Sequence, residues 1–217
     1  MREEKPLGML AVAALAYLAE RPMHPYEMYQ LALHRQEDRV VKVSPGSLYR
    51  AVYALESAGL VRAAGTGRAG ARPERTTFDI TELGRHRLGE RLRQLLSTPA
   101  NEYPELGLAL SEAHELGADE VRMLLETRVL RQRAELADLE RRVAWAIERG
   151  IPRVYWINVP YSSAMLRAEI AHLESLLAEI ADGTLAWHVP GARAPLHEQA
   201  ATPPVSTLRS TSSAGTG

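Results

Sequence analysis

The 217-residue sequence contains no cysteine. That absence excludes disulfides, thiolate metal sites and a cysteine nucleophile at once. No apolar run approaches the roughly 18 residues needed to cross a bilayer, and the opening Met-Arg-Glu-Glu-Lys lacks the apolar core of a secretion signal. A cytoplasmic protein without a membrane partner is expected. The seven histidines show no His-x-x-x-His or comparable ligand spacing, so no metal site is expected. Gly65-Thr-Gly-Arg-Ala-Gly70 superficially fits Gly-x-Gly-x-x-Gly, but it does not open a helix after a strand in an alternating β/α unit. Ser44 and Ser47 have no base and acid partners in a recognisable arrangement. Neither an enzyme nor a cofactor is predicted.

What is present is ordinary in bulk, 46% hydrophobic and 24% charged, enough for one or two cores. The net charge of −1 conceals a division. Residues 1–98 carry 15 Lys and Arg against 11 Asp and Glu, whereas 99–217 carry 11 against 16. A basic N-terminal half joined to an acidic remainder suits a DNA-binding domain with a separate assembly domain.

The stretch from Val43 to Val61 organises the basic half. Ser44 can accept from the free amides of a first helical turn, Pro45 at N1 needs no amide partner, and Gly59 stands where a left-handed residue ends a helix. Leu48, Val52 and Leu55 recur at spacings of four and three and face a core. Gly46, Arg50, Tyr53 and Ser57 fall opposite, a face with a charge, an aromatic and small residues that suits a groove. Two helices are predicted upstream. One holds Leu7, Leu10, Ala14, Tyr17 and Leu18 and ends near Arg21-Pro22; the other starts at His24-Pro25. A short strand from Leu60, a Gly/Arg-rich loop and the alternating Thr76–Ile80 follow, a ribbon whose tip bears Arg68, Arg72 and Arg75. Three helices and such a ribbon are the parts of a winged helix-turn-helix.

Four blocks then stand in order over about 60 residues: His24-Pro-Tyr-Glu27, Gly46-Ser-Leu-Tyr49, Leu55-Glu-Ser-Ala-Gly-Leu60 and Phe78-Asp-Ile-Thr-Glu-Leu-Gly84. Together they resemble the signature of PadR-family transcriptional regulators. Pro25 replaces the family's usual Gly, Arg50 stands where Pro is common, and Thr76-Thr77 occupies positions often basic or aromatic. The resemblance implies a repressor released by a small aromatic or drug-like effector, and a C-terminal helical domain that dimerises.

Thr81 is read as the cap of a fourth helix that runs to Ser97, and Asp119 as the cap of a long one. In the long helix Leu125, Val129, Gln132, Leu136, Leu139, Val143 and Ala146 keep a heptad spacing; Leu166, Ile170, Leu173, Leu177 and Ile180 repeat it. Such helices form an antiparallel hairpin or pair with a second chain's copies, and the resemblance favours the second. Gln132 in an apolar seam suits a register-fixing role or a wet edge. The linker 151–160 is apolar and aromatic where a loop is usually polar, so it is expected to be covered. Either it forms a satellite core, or Tyr155 and Trp156 join Trp145 in an effector pocket or dimer contact.

The expected architecture is mainly α. A winged helix-turn-helix domain with a two-stranded β wing spans 1–98, a C-terminal coiled-coil-like helical dimerisation domain 99–189, and a disordered tail 190–217. The expected function is sequence-specific binding of double-stranded DNA by a homodimer at a pseudo-palindromic operator. Arg50 is assigned to base edges, with Ser44, Gly46, Ser47, Tyr49 and Tyr53 beside it on phosphates or bases. Arg68, Arg72 and Arg75 are assigned to the backbone or minor groove. Dimerisation is assigned to Leu125, Val129, Leu136, Leu139, Val143, Leu166, Ile170, Leu173, Leu177 and Ile180. The alternative is a winged-helix protein-interaction module that binds no DNA.

Overall fold

The computed structural model describes residues 6–67 and 75–187, with side chains at all of these except Thr66 and Arg75. The chain divides into two compact units between Glu102 and Tyr103.

In the first unit, α1 (Met9–Glu20) is apolar around most of its circumference, as a helix must be when neighbours cover it on several sides. It packs against α3 (Pro45–Ser57), α4 (Glu82–Ser97) and strand β2 (Arg75–Ile80). Arg21-Pro22 ends it, since the residue before a proline leaves the helical region. Helix α2 (Pro25–His34) follows, capped by His24, and lies on α3. The core these elements share holds Leu15, Leu18, Met23, Met28, Leu48, Val52, Val61 and Phe78, all essentially inaccessible to solvent.

The connection from α2 to α3 is tied down rather than loose. Gln36 takes a left-handed conformation (φ 55°) and a 3-10 turn follows at Glu37–Arg39. The Tyr17 hydroxyl of α1 donates to Glu37 at 2.5 Å, and the Arg35 guanidinium grips both carboxylate oxygens of Glu20 at 2.5 and 2.8 Å. These bonds fix where α3 begins.

After α3, Gly59 turns the chain at φ 70°, as its position predicts, and strand β1 (Val61–Gly67) pairs antiparallel with β2. Val61 faces Ile80 and Ala63 faces Phe78; the register then shifts by one residue before Gly65 meets Thr77. Met23 adds a bridge to this ribbon through paired backbone bonds with Phe78 at 3.0 and 2.9 Å. Thr81 joins three elements. Its hydroxyl accepts from the Gly84 amide at 3.0 Å and donates toward the carbonyls of Gly59 and Leu60 at 2.8 and 3.0 Å.

The second unit is a helical hairpin. A short α5 (Glu105–Ser111) precedes the long α6 (Ala118–Glu148); α7 (Asn158–Asp182) returns antiparallel to α6 and stops at Gly183, left-handed at φ 77°. Helix α6 starts earlier than expected: Gly117 is its N-cap, and Asp119 sits inside the first turn, where its charge favours the positive helix end. The heptad positions are used inside the chain. Leu125, Val129, Ile170 and Leu173 form a buried cluster with Val121, flanked by Leu136, Leu166, Leu177 and Ile180, while Leu139 is buried and Val143 half-buried farther along. The antiparallel pairing is pinned by Arg167 on Glu140 at 2.7 Å and by the Trp187 indole N–H on the Leu116 carbonyl at 2.8 Å.

Gln132 sits buried in this seam. Its amide donates to Glu169 Oε1 at 2.6 Å, an oxygen that also accepts from both forks of Arg128 at 3.0 and 2.8 Å. Of these groups Gln132 alone is buried, its Oε1 has no partner among the described residues, and a slip of one heptad would leave its amide unpaired as well.

Candidate nucleic-acid interface

The face of α3 that carries the site is set by its buried stripe, Leu48, Val52 and Leu55, which leaves Gly46, Arg50, Tyr53 and Ser57 in solvent. The start of the helix is rigidly closed. The Ser44 hydroxyl accepts from the Ser47 amide at 3.2 Å, and the Ser47 hydroxyl accepts from the Ser44 amide and donates to the Ser44 carbonyl, each at 2.9 Å. Both side chains are therefore engaged in a capping box, so in this conformation Ser47 has no proton left for a phosphate. The Gly46 amide, at the second helical position, finds no partner among the described residues and is the donor exposed at this end.

Arg50 is exposed, and among the described residues no acid pairs with it. Its guanidinium lies back toward the helix start: a β-carbon added at Gly46 would come within 3.8 Å of it. Tyr53 serves two ends. Half of its surface is exposed, but its ring meets Phe78 edge-on at 5.8 Å and so props α3 against the base of the ribbon. Tyr49 is half-buried and reaches His24 across the helix-turn-helix, 3.3 Å from hydroxyl to Nε2.

The arginines assigned to the ribbon tip are not placed by the structure. Arg68 and Arg72 lie outside the described residues, and Arg75 is described only as the first backbone position of β2. Arg62 at the base is partly neutralised by Asp79 at 3.3 Å. Two residues escaped the sequence reading. Lys42, exposed and without an acid partner among the described residues, stands two positions before the cap. His24 reads in sequence as a helix-start residue alone; its contact to a residue 25 positions later has no sequence signal.

Two carboxylates around the helix-turn-helix are held by arginines. The Arg21 guanidinium on Glu27, at 2.5 Å, holds that carboxyl below the usual range, and Arg35 does the same to Glu20. Burial, followed by the Glu37 carboxylate, pushes the Tyr17 phenol well above its ordinary value. Each shift favours the protonation state that binds its partner at neutral pH. Among the described residues, Lys42 and Arg50, at the start and on the outer face of α3, are exposed cations without an acid partner.

In the second unit the ring contacts found among the described residues do not join any two of the three aromatics assigned to an effector. Trp145 is half-exposed beneath the Arg149 guanidinium, 4.5 Å from the ring centroid. Tyr155 is 77% exposed, and Trp156 donates its indole N–H to the Ile151 carbonyl at 3.0 Å. Val154 and Ile157 are also more than half exposed, so the linker expected to be covered is open in the single chain. Among the described residues no group of three or more His, Asp or Glu is placed to hold a metal ion, and no helix is long and apolar enough to cross a membrane.

Comparison with known proteins bears on both units. Residues 14–90 match the profile of the "Transcriptional regulator PadR-like family". No curated protein matches the chain. Among solved structures, PadR of Bacillus subtilis in complex with operator DNA superposes with a TM-score of 0.70 at 19% identity, over 81% of this chain and 99% of that one. The same protein in complex with p-coumaric acid gives 0.63 at 18%, over 79% and 98%. A PadR-like transcriptional regulator from Bacillus cereus gives 0.57 at 20%, over 83% and 99%. At these identities the likeness is one of fold, and it extends beyond the winged unit into the C-terminal helices.

Proposed function

We propose, on the premise that residues 14–90 place this chain in the PadR-like family of transcriptional regulators, that it binds a specific DNA operator through α3 and the β1–β2 ribbon. The observation that carries the proposal is the outer face of α3. It presents an unpaired Arg50 beside a fixed helix start with an open Gly46 amide, and has no exposed acid to repel phosphate. Arg50 reads base edges; Gly46 and Lys42 contact the backbone, and Arg68, Arg72 and Arg75 supply salt-dependent affinity from the ribbon. Of the other assigned residues, Ser44 and Ser47 hold the helix start and Tyr53 its lean, so their contribution to DNA is geometric.

The protein acts in the cytoplasm as a homodimer. Two reading helices one turn of DNA apart, about 34 Å, double the contacts and call for a pseudo-palindromic site. Since Leu125, Val129, Ile170 and Leu173 are consumed inside each hairpin, association falls to residues that the hairpin leaves exposed, among them Leu124 and Leu130 on α6. Repression is relieved by a small aromatic acid of the kind bound by PadR of Bacillus subtilis. Such a ligand acts only if it binds the DNA-free geometry better than the DNA-bound one.

Fluorescence anisotropy on DNA from upstream of the protein's own gene, at two salt concentrations, tests the core of this reading. Specific, salt-sensitive binding that p-coumarate reverses is expected. Absence of binding at low salt would instead make the winged unit a protein-interaction module. Sedimentation at micromolar concentration tests the dimer, and a monomer there refutes it.

A further inference from the structure

One imidazole joins the two helices of the helix-turn-helix. His24 Nδ1 accepts the Tyr26 amide at 3.2 Å, closing the start of α2. Its Nε2 lies 3.3 Å from the Tyr49 hydroxyl on α3, with the rings edge-to-face at 5.5 Å and 79°. A ring nitrogen that accepts from a backbone N–H carries no proton, so in the neutral imidazole the proton sits on Nε2. Nε2–H then donates to the Tyr49 oxygen. The phenolic proton, displaced from the side that faces the ring, finds no acceptor among the described residues and is left for one that a bound partner supplies.

The backbone donors at this end of α2 are used. The amides of Glu27 and Met28 both go to the His24 carbonyl, at 2.9 and 3.1 Å, and Pro25 has none. The carboxylate in this first turn, Glu27, is occupied by Arg21. Tyr49 is half-buried and directly precedes Arg50. A DNA phosphate only accepts hydrogen bonds, and this corner can offer it the Tyr49 O–H.

We propose that His24 is a positioning residue for DNA binding. It holds the Tyr49 hydroxyl with its proton outward, so that Tyr49 donates to one backbone phosphate beside the bases that Arg50 reads. The proposal rests on the DNA-binding function proposed above. It goes beyond the helix-capping role of His24, because the cap uses Nδ1 and the positioning uses Nε2.

The two nitrogens can be separated by substitution. His24→Asn keeps a side-chain acceptor for the α2 cap but has nothing at the Nε2 position; Tyr49→Phe removes the hydroxyl alone. The full-length protein, both variants and the double variant are titrated with operator duplexes carrying a single methylphosphonate, scanned along the backbone. The wild type is expected to lose affinity about tenfold at one phosphate. Each single variant should bind the natural operator about that much more weakly and be indifferent to methylphosphonate at that same position. The double variant should be no weaker than either single one. A His24→Asn protein that keeps both wild-type affinity and sensitivity at that phosphate overturns the proposal, as does a general loss of affinity with that sensitivity intact. In the free protein, nitrogen NMR of the His24 ring should show the proton on Nε2, with a shift on Tyr49→Phe; the opposite tautomer also overturns it. Failure of the wild type to bind any duplex refutes the DNA-binding function itself, whereas binding without a sensitive phosphate refutes only the role of His24.

Discussion

At Gly84 the first turn of α4 passes so close to the chain leaving α3 that a β-carbon would lie 2.1 Å from the Leu60 carbonyl oxygen. Backbone cannot yield as a side-chain tip can, so Gly84→Ala should destabilise the protein by about 3 kcal/mol in denaturant unfolding. Gly89, in the same helix, has only the Arg93 guanidinium within 3.5 Å of that position, and Gly89→Ala should be neutral or stabilising by about 1 kcal/mol. A second prediction concerns binding. Arg50→Ala should weaken operator affinity by about 1 to 3 kcal/mol and relax sequence preference in anisotropy titrations. At this scale the sequence speaks clearly where an interaction is local. The Ser44 cap, the left-handed Gly59 and the Thr81 cap each depend on residues within a few positions, and each is where the pattern puts it. The His24–Tyr49 and Tyr53–Phe78 contacts span 25 residues each, so they depend on how helices cross, which single residues do not reveal.

Among the elements, the heptad rows of α6 and α7 are legible but their partner is not, because the same 4-3 spacing serves a hairpin and an intermolecular seam equally. The structure uses it within the chain. Leu173→Ala, at a site with no solvent exposure, should therefore cost about 2 to 5 kcal/mol in unfolding. Leu130→Ala, 71% exposed on the same hairpin, should leave unfolding unchanged and weaken association if the exposed row carries the dimer. The turn between α2 and α3 makes a prediction in pH. The folded Tyr17 phenol is raised above its ordinary value of about 10 by burial and then by Glu37. Its contribution is thus complete below about pH 10 and is lost as pH rises above that, where the unfolded chain ionises first. Denaturation midpoints should fall more steeply in this alkaline range for the wild type than for Tyr17→Phe. No sequence rule identifies this tie, because Glu37 looks like a solvated loop acid until α1 is laid beside it.

For the whole molecule, the basic excess of residues 1–98 and the acidic excess of 99–217 fall largely on the two units that part between Glu102 and Tyr103. Lowering salt should therefore tighten DNA binding, and Arg72→Ala should weaken all duplexes alike and reduce the slope of log affinity against log salt by about one. An unchanged slope would remove the ribbon from the interface. The junction at Thr81 has a mechanical consequence. One hydroxyl clamps the end of α3, the start of β1 and the first turn of α4, and Gly84 lets the backbones meet with no side chain between them to act as a bearing. Helices α3 and α4 thus meet at one elbow, and a turn of the first residues of α4 is passed through that hydroxyl to the end of α3.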